Sequence, residues 1–331
     1  MRVLLLSEQD IEPLLSMNEV LEAVETAFRE KGLGYAQMPP KAYLLYEKYN
    51  GDLRTMPAYL ERLNVSAVKI VNVHPDNRVK FGLPTVMATI VLVNPRNGAP
   101  IAIMGGTRIT AMRTGAAGGV AAKYLARKDS KIVGLVGAGT QARTQLAALF
   151  EVYRELEEVR VWDRSKENRE RYVSEARVKY EGRARIVSAE TVEESVKGAD
   201  IVVTTTPSRK PIVSGEWISE GTHVTCIGAD AKGKEELEPA VLKRAKIVVD
   251  DWEQGLHSSE INVPLSKGLI SRNDVYGDIC EIVAGIKPGR TSRREITVFT
   301  STGLAVQDAV TAKLAYDKAV SKRLGRFIDL I

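Results

Sequence analysis

The sequence predicts an α/β protein in which a doubly wound parallel sheet is joined to a smaller α+β part. Three observations predict it. From residue 131 to 303, short apolar runs alternate with helical patterns, as in a parallel sheet with helices on both faces. Within that region, Lys131 to Asp163 gives a buried strand, a glycine turn, a helix, a second strand and an acid at its end, the order of a Rossmann dinucleotide-binding unit. Residues 1–120 differ: their strand-like runs are separated by Pro, Gly and Asn signals, as in a largely antiparallel sheet.

Taken in chain order, Ser16-Met-Asn-Glu19 reads as a capping box opening a helix that runs to about Gly32. Strand-like runs follow at Lys41–Tyr46, Ala67–Val73, Val86–Val93 and Ala99–Met104, with a hairpin turn at Pro95-Arg96-Asn97-Gly98. A helix of small residues starts near Thr107. The sheet strands are then Ile132–Gly137, Val159–Asp163, Ala184–Val187, Ile201–Thr206, His223–Gly228, Ile247–Asp250 and Val298–Ser301. After Gly303, apolar residues recur every three to four positions from Leu304 to Val320, one amphipathic helix stopped near Gly325. Periodicity alone leaves open which part this last helix joins.

The glycine turn carries the first functional reading. Gly137 permits the tight turn, Gly139 lets backbone amides approach a pyrophosphate, and Ala142 lets the helix pack closely on the sheet. Asp163 follows Gly139 by 24 residues, near the spacing at which a carboxylate grips a ribose 2′-hydroxyl. That acid would repel a 2′-phosphate, which favours NAD. Arg164 and Lys166 stand beside it and keep NADP open should the acid turn away. Ligands of such sheets sit beyond the carboxyl ends of the strands, which directs attention to Asp163, Thr205–Pro207, Asp230 and Ser301–Gly303.

Composition excludes several other classes. The 331 residues are 44% hydrophobic and 27% charged, ordinary for a globular protein with two cores. The net charge is +5, but basic and acidic residues are mixed, so no nucleic-acid surface is indicated. The N-terminal Val-Leu-Leu-Leu run is too short for a signal h-region or a membrane span, and a cytoplasmic setting with no membrane partner is expected. Cys226 and Cys280 lack metal-ligand spacing and read as reduced core thiols. Three scattered histidines give no metal site.

Four residues stand out for chemistry. Lys69 shares the alternating face of Val65, Ala67, Val71 and Val73. A lysine aimed into an apolar layer meets a carboxylate or ends in a cavity, where desolvation lowers its pKa; on an edge strand it would instead snorkel. Asp230 ends the His223–Gly228 strand region, where a nicotinamide and substrate would lie, or else caps its own loop. Arg113, in an early turn of the small-residue helix, can fork onto a carboxylate or pyrophosphate, or form a structural salt bridge. Arg54 is a second candidate carboxylate clamp, or a surface hairpin charge. His74 has a weaker claim, and His223 and His257 have no partner pattern.

Together these residues resemble the ornithine cyclodeaminase/μ-crystallin family, almost end to end. The markers are Met56-Pro57-Ala58-Tyr59, Val68-Lys69-Ile70-Val71-Asn72-Val73-His74-Pro75, Thr110-Ala-Met-Arg113-Thr114-Gly-Ala, Gly137-Ala-Gly-Thr-Gln141-Ala, Thr205-Thr206-Pro207, Gly228-Ala-Asp230 and Ser301-Thr-Gly-Leu304-Ala-Val-Gln-Asp308. The resemblance implies a homodimer. It implies a substrate-binding and dimerisation domain built from residues 1–120 and 305–331, with an NAD-binding Rossmann domain, residues 121–304, inserted between them. It also implies that Lys69 and Asp230 are the acid/base pair and that Arg113 contacts the substrate carboxylate or the cofactor; Arg54 and Lys69 are expected to fix the substrate carboxylate with it. The implied cofactor contacts begin with Arg113 and Thr114, then Gly137, Ala138, Gly139, Thr140 and Gln141 at the turn. Asp163 and Arg164 follow, then Thr205, Thr206 and Pro207, then Ile227, Gly228, Ala229 and Ser301.

Ornithine cyclodeaminases carry a glutamate two residues before the Met-Pro pair, where this chain has Arg54. A cation there repels a second amine. The chain is therefore most like the archaeal-type alanine dehydrogenase branch, which implies oxidative deamination of L-alanine with NAD. The alternatives are a ketimine or pyrroline-2-carboxylate reductase, a cyclodeaminase and, in another class, a non-catalytic crystallin-like cofactor-binding protein.

Overall fold

A computed structural model describes residues 2–330. The chain divides into two compact units, Met1–Thr114 with Leu304–Ile331, and Gly115–Gly303. Among the described residues, no helix is long and apolar enough to cross a membrane.

The first unit is built on one mixed sheet. Its strands run in the order Arg326–Asp329, Arg2–Leu6, Pro100–Gly105, Val86–Val93, Val65–Val73, Gly51–Leu60 and Ala36–Gln37, with Ala42–Tyr46 also on Gly51–Leu60. All pairs are antiparallel except Arg2–Leu6 with Pro100–Gly105. Arg54, Met56, Ala58 and Leu60 are buried alternately on one strand. Val65, Ala67, Lys69 and Val71 are buried on its neighbour. Opposite residues of antiparallel strands share a face, so the register Arg54–Val71 and Met56–Lys69 puts Arg54 and Lys69 diagonally adjacent on the same buried face. The C-terminal helix, Ala305–Lys322, packs across these strands and against the helix Met17–Gly32, which Ser16 caps. Glu8 accepts the amides of Thr107 and Arg108 at 2.7 and 3.0 Å. A carboxylate at that end opposes the positive end of the helix dipole and anchors the helix that carries Arg113.

The second unit is a doubly wound sheet of eight parallel strands. Their order is Arg185–Ser188, Glu158–Trp162, Ile132–Val136, Ile201–Thr204, His223–Cys226, Ile296–Thr300, Ala245–Val249 and Val275–Asp278. The winding reverses between Ile132–Val136 and Ile201–Thr204, so the crevice for a ligand lies beyond the carboxyl ends of those strands. Both faces are covered: Leu135, Val161 and Val203 pack with Leu146 and Tyr172 on one side, and Val136, Val202 and Val224 with Val241 and Leu242 on the other. That two-sided burial explains the near-continuous apolar runs of these strands. Cys226 and Cys280 are both buried, as expected of core cysteines.

Candidate active site

In the first unit, three side chains meet around one carboxylate. Lys69 is 1% exposed. Its Nζ lies 2.8 Å from Oδ1 of Asp308, which is equally buried. Arg113 Nε donates to the same Oδ1 at 2.9 Å, and its Nη1 donates to Gln307 Oε1 at 2.7 Å. Burial, then the charge of Arg113, pushes the Lys69 ammonium down to about 7; Asp308 opposes them, and Lys41 adds a smaller push downward. One carboxylate thus faces two buried cations, and the lysine is poised to exchange a proton near neutrality.

Arg54, 8% exposed, is held by Asp52 in a fork of 3.1 and 2.8 Å and stacks over Tyr43 with its guanidinium carbon 5.4 Å from the ring centre. It is a strand residue on a buried face, not a surface hairpin charge. The sequence reading had Gln307 and Asp308 only as family markers, with no role in the site, and did not single out Lys41. Asp308 gave a signal: it is four residues from both Leu304 and Ala312, on the apolar stripe of its helix.

In the second unit, Gly137 has φ +107°, and a Cβ there would lie 2.6 Å from Thr205 Oγ1. Gly139 caps the helix Thr140–Val152 and faces open space. The Asp163 carboxylate accepts the amides of Ala138 and Ser165, each at 2.8 Å. The acid is thereby fixed beside the glycine turn, while Arg164 is exposed and Lys166 leans on Glu170. Thr205 donates its amide to Val136, and Ile227 to Thr204. Ser301 donates its hydroxyl to the buried Asp250, which also accepts the amides of Thr302 and Gly303. Asp230 pairs with Lys234 at 2.6 Å across a turn. Thr114 donates its hydroxyl to the Thr110 carbonyl.

The histidines do other work. His223 is wholly buried between Thr297 and Thr225, and burial holds its pKa down at about 3, so it is a neutral core residue. The His74 ring packs on Tyr46.

Two kinds of site are therefore present: a buried amine–guanidinium–carboxylate cluster, and a strand–glycine turn–helix with an acid at the next strand's end. The sequence profile of the ornithine cyclodeaminase/mu-crystallin family matches residues 1–323, and the chain belongs to that family. It is 51% identical over 325 residues to an alanine dehydrogenase of Archaeoglobus fulgidus, covering 98% of each chain. An archaeal alanine dehydrogenase dimer with bound NAD superposes with a TM-score of 0.95 at 50% identity, over the full length of both chains. The Δ1-pyrroline-2-carboxylate reductase of Thermococcus litoralis, in complex with NADH and L-proline, gives 0.94 at 46% identity, covering 98% of this chain and 99% of that one.

Proposed function

We propose that this protein is an NAD-dependent amino-acid dehydrogenase that converts L-alanine, NAD and water into pyruvate, ammonium and NADH, reversibly. The observation that carries the reading is the cation Arg54 on the buried face it shares with Lys69. That face suits a substrate carboxylate, and the cation on it would repel a distal amine. The 51% identity to an alanine dehydrogenase supports the same substrate.

NAD supplies the hydride acceptor when bound. The Gly137–Gln141 turn would receive its pyrophosphate, and Asp163, already turned toward the amide of Ala138, would take a ribose hydroxyl; that orientation favours NAD over NADP. Thr205, Thr206, Pro207, Ile227, Gly228, Ala229 and Ser301 would line the rest, with Thr114 and Arg113 at the helix that precedes them in sequence. Arg54, Lys69 and Arg113 bind and orient the substrate carboxylate, which is the main contribution to a hydride transfer. Loss of the Cα hydride leaves an iminium; water adds to its carbon and ammonium departs. Asp230 acts as general base toward that water, and Lys69 as its proton partner.

The subunit is proposed to pair with a second copy. Leu44 and Leu45 on the strand Ala42–Tyr46 are 59% and 68% exposed, and Tyr49 just beyond is 65% exposed. Such apolar exposure marks an association surface, and the archaeal relative is a dimer.

The test is to incubate the purified protein with L-alanine and NAD at alkaline pH and follow NADH absorbance, with L-ornithine and L-proline alongside. NADH from alanine alone supports the reading. Silence with alanine, but NADH consumption with pyrroline-2-carboxylate, moves the assignment to imine reduction, the reading that likeness to the T. litoralis reductase favours. A cyclised product without net NADH indicates a cyclodeaminase, and cofactor binding without turnover a binding protein. Arg54→Met is expected to raise the KM for alanine by ~10–100-fold, the loss of a charge-assisted hydrogen bond, and to leave NADH affinity unchanged. An unaltered KM removes Arg54 from the clamp.

A further inference from the structure

We infer that Glu236 is a positioning residue that sets the spacing of two strand-end loops, Thr204–Thr206 and Ile227–Asp230, for the nicotinamide half of the cofactor. The inference rests on the dinucleotide reading above. Glu236 lies on the short strand Glu235–Leu237, beside the main sheet, and is wholly buried. Its Oε1 accepts the Thr206 amide and hydroxyl, each at 2.7 Å. Its Oε2 accepts the Thr204 hydroxyl at 2.7 Å and the Gly228 amide at 3.0 Å. All four bonds go to the carboxyl ends of two neighbouring strands, Ile201–Thr204 and His223–Cys226, which pair in register.

Those strands belong to the second mononucleotide half of the sheet. Asp163 marks the first half, the one that takes the adenosine ribose, so the second takes nicotinamide. The two loops also touch directly. A Cβ at Gly228 would land 2.5 Å from Glu236 Oε2 and 2.6 Å from the Thr206 nitrogen. No side chain fits between the loops, and one carboxylate ties both.

The chemistry of the cage specifies a carboxylate. Every partner is a donor, so an ionised group satisfies all four, whereas an amide would turn an NH2 toward donors on one side. Beside it, Glu260 is equally buried. Glu260 Oε1 accepts the amides of Glu236 and Leu237 at 2.8 and 2.6 Å, and its Oε2 has no hydrogen-bond partner among the described residues. Burial and the charge of Glu236 push the Glu260 carboxyl well up. Burial raises Glu236 as well, to about 7, with its bonds from Thr204, Thr206 and Gly228 opposing the rise. Of the two carboxyls Glu260, which receives fewer donors, takes the first proton, and the charge is kept on Glu236. Filling the core would need no charge, since apolar packing is as stable or more so.

The experiment compares the full-length protein with Glu236→Gln and Thr204→Val. NADH dissociation constants come from fluorescence titration, KM values for NAD and for the amino acid from initial rates, and the fold from the thermal midpoint without cofactor. Glu236→Gln is expected to weaken NADH binding by ~10-fold or more, the loss of bonds to a charged acceptor. The KM for NAD should rise in step while that for the amino acid stays within about twofold. Thr204→Val, which removes one donor and keeps the shape, should weaken NADH binding by a few-fold. Unchanged NADH affinity in a folded Glu236→Gln overturns the inference and leaves the dinucleotide reading standing. An equal rise in both KM values marks a general structural role and overturns it too. If Glu236→Gln does not fold, Thr204→Val decides, and wild-type affinity there overturns it. Failure of the unmodified protein to bind NADH removes both readings.

Discussion

Replacing Asp308 by alanine is expected to lower the stability of the cofactor-free protein by about 3–5 kcal/mol, the cost of leaving buried charge uncompensated. Asp308 lies within bonding distance of both Lys69 and Arg113, and all three are buried. Without it, two cations face each other in an apolar layer. Arg113 cannot shed its proton, and Lys69 is expected to lose its own to relieve the repulsion. The thermal midpoint should fall by roughly 10 °C, following the usual scaling for a domain of this size. Asp308→Asn keeps an acceptor for one donor and should fall less. A midpoint within a degree of wild type in Asp308→Ala would show that the carboxylate does not hold this cluster together. The double variant Asp308→Ala with Lys69→Met separates the terms: removing the lysine should restore part of the loss.

The parallel sheet was legible because its strands are buried on both faces and so keep long apolar runs, each ended by a turn signal. Val275–Asp278 escaped because it is an edge strand of two apolar residues followed by Gly277 and Asp278. In the first unit the largest omission was Gly51–Leu60, a central strand ten residues long. Gly51 and Asp52 read as turn, and Pro57 argues against a central strand. The register shows why Pro57 is accepted. On one side it faces Val68; on the other, Ala42–Tyr46 pairs only as far as Thr55 and Ala36–Gln37 only from Tyr59. The missing amide falls in the gap.

Much of the candidate site was legible by the same logic. Lys69 stood out because alternation placed it on an apolar face, and a lysine there demands a partner. What alternation could not supply was the partner's identity. Asp308 is 239 residues away, and its own helix pattern shows only that an acid breaks the stripe. Two such anomalies, a buried cation on a strand and a buried anion on a helix, are complementary once each is noticed. Glu236 gave no sign at all: in Lys234-Glu-Glu-Leu-Glu238 nothing separates the wholly buried acid from its neighbours.

Replacing Lys69 by alanine is expected to lower turnover by ~10²-fold or more, as removal of an acid/base group does, with NADH binding nearly intact. The pH behaviour makes the expectation specific. Burial and Arg113 hold the Lys69 ammonium at about 7, against an ordinary value of 10.5. If the neutral amine takes a proton in the slow step, kcat in the wild type rises with pH through about 7 and then levels. Lys69→Arg keeps the charge but titrates far above that range, so its residual rate should show no step near 7. The same shift bears on stability with a definite sign. Between about 7 and 10.5 the unfolded chain holds a proton that the native lysine has released, so raising pH through that window favours the native state. The penalty is complete below about 7. Lys69→Met lacks this group, so its stability relative to wild type should be greatest below pH 7 and decline as pH rises. Wild-type-like turnover in Lys69→Ala would remove the amine from the mechanism, and a pH step near 7 that survives in Lys69→Arg would assign that titration to another group.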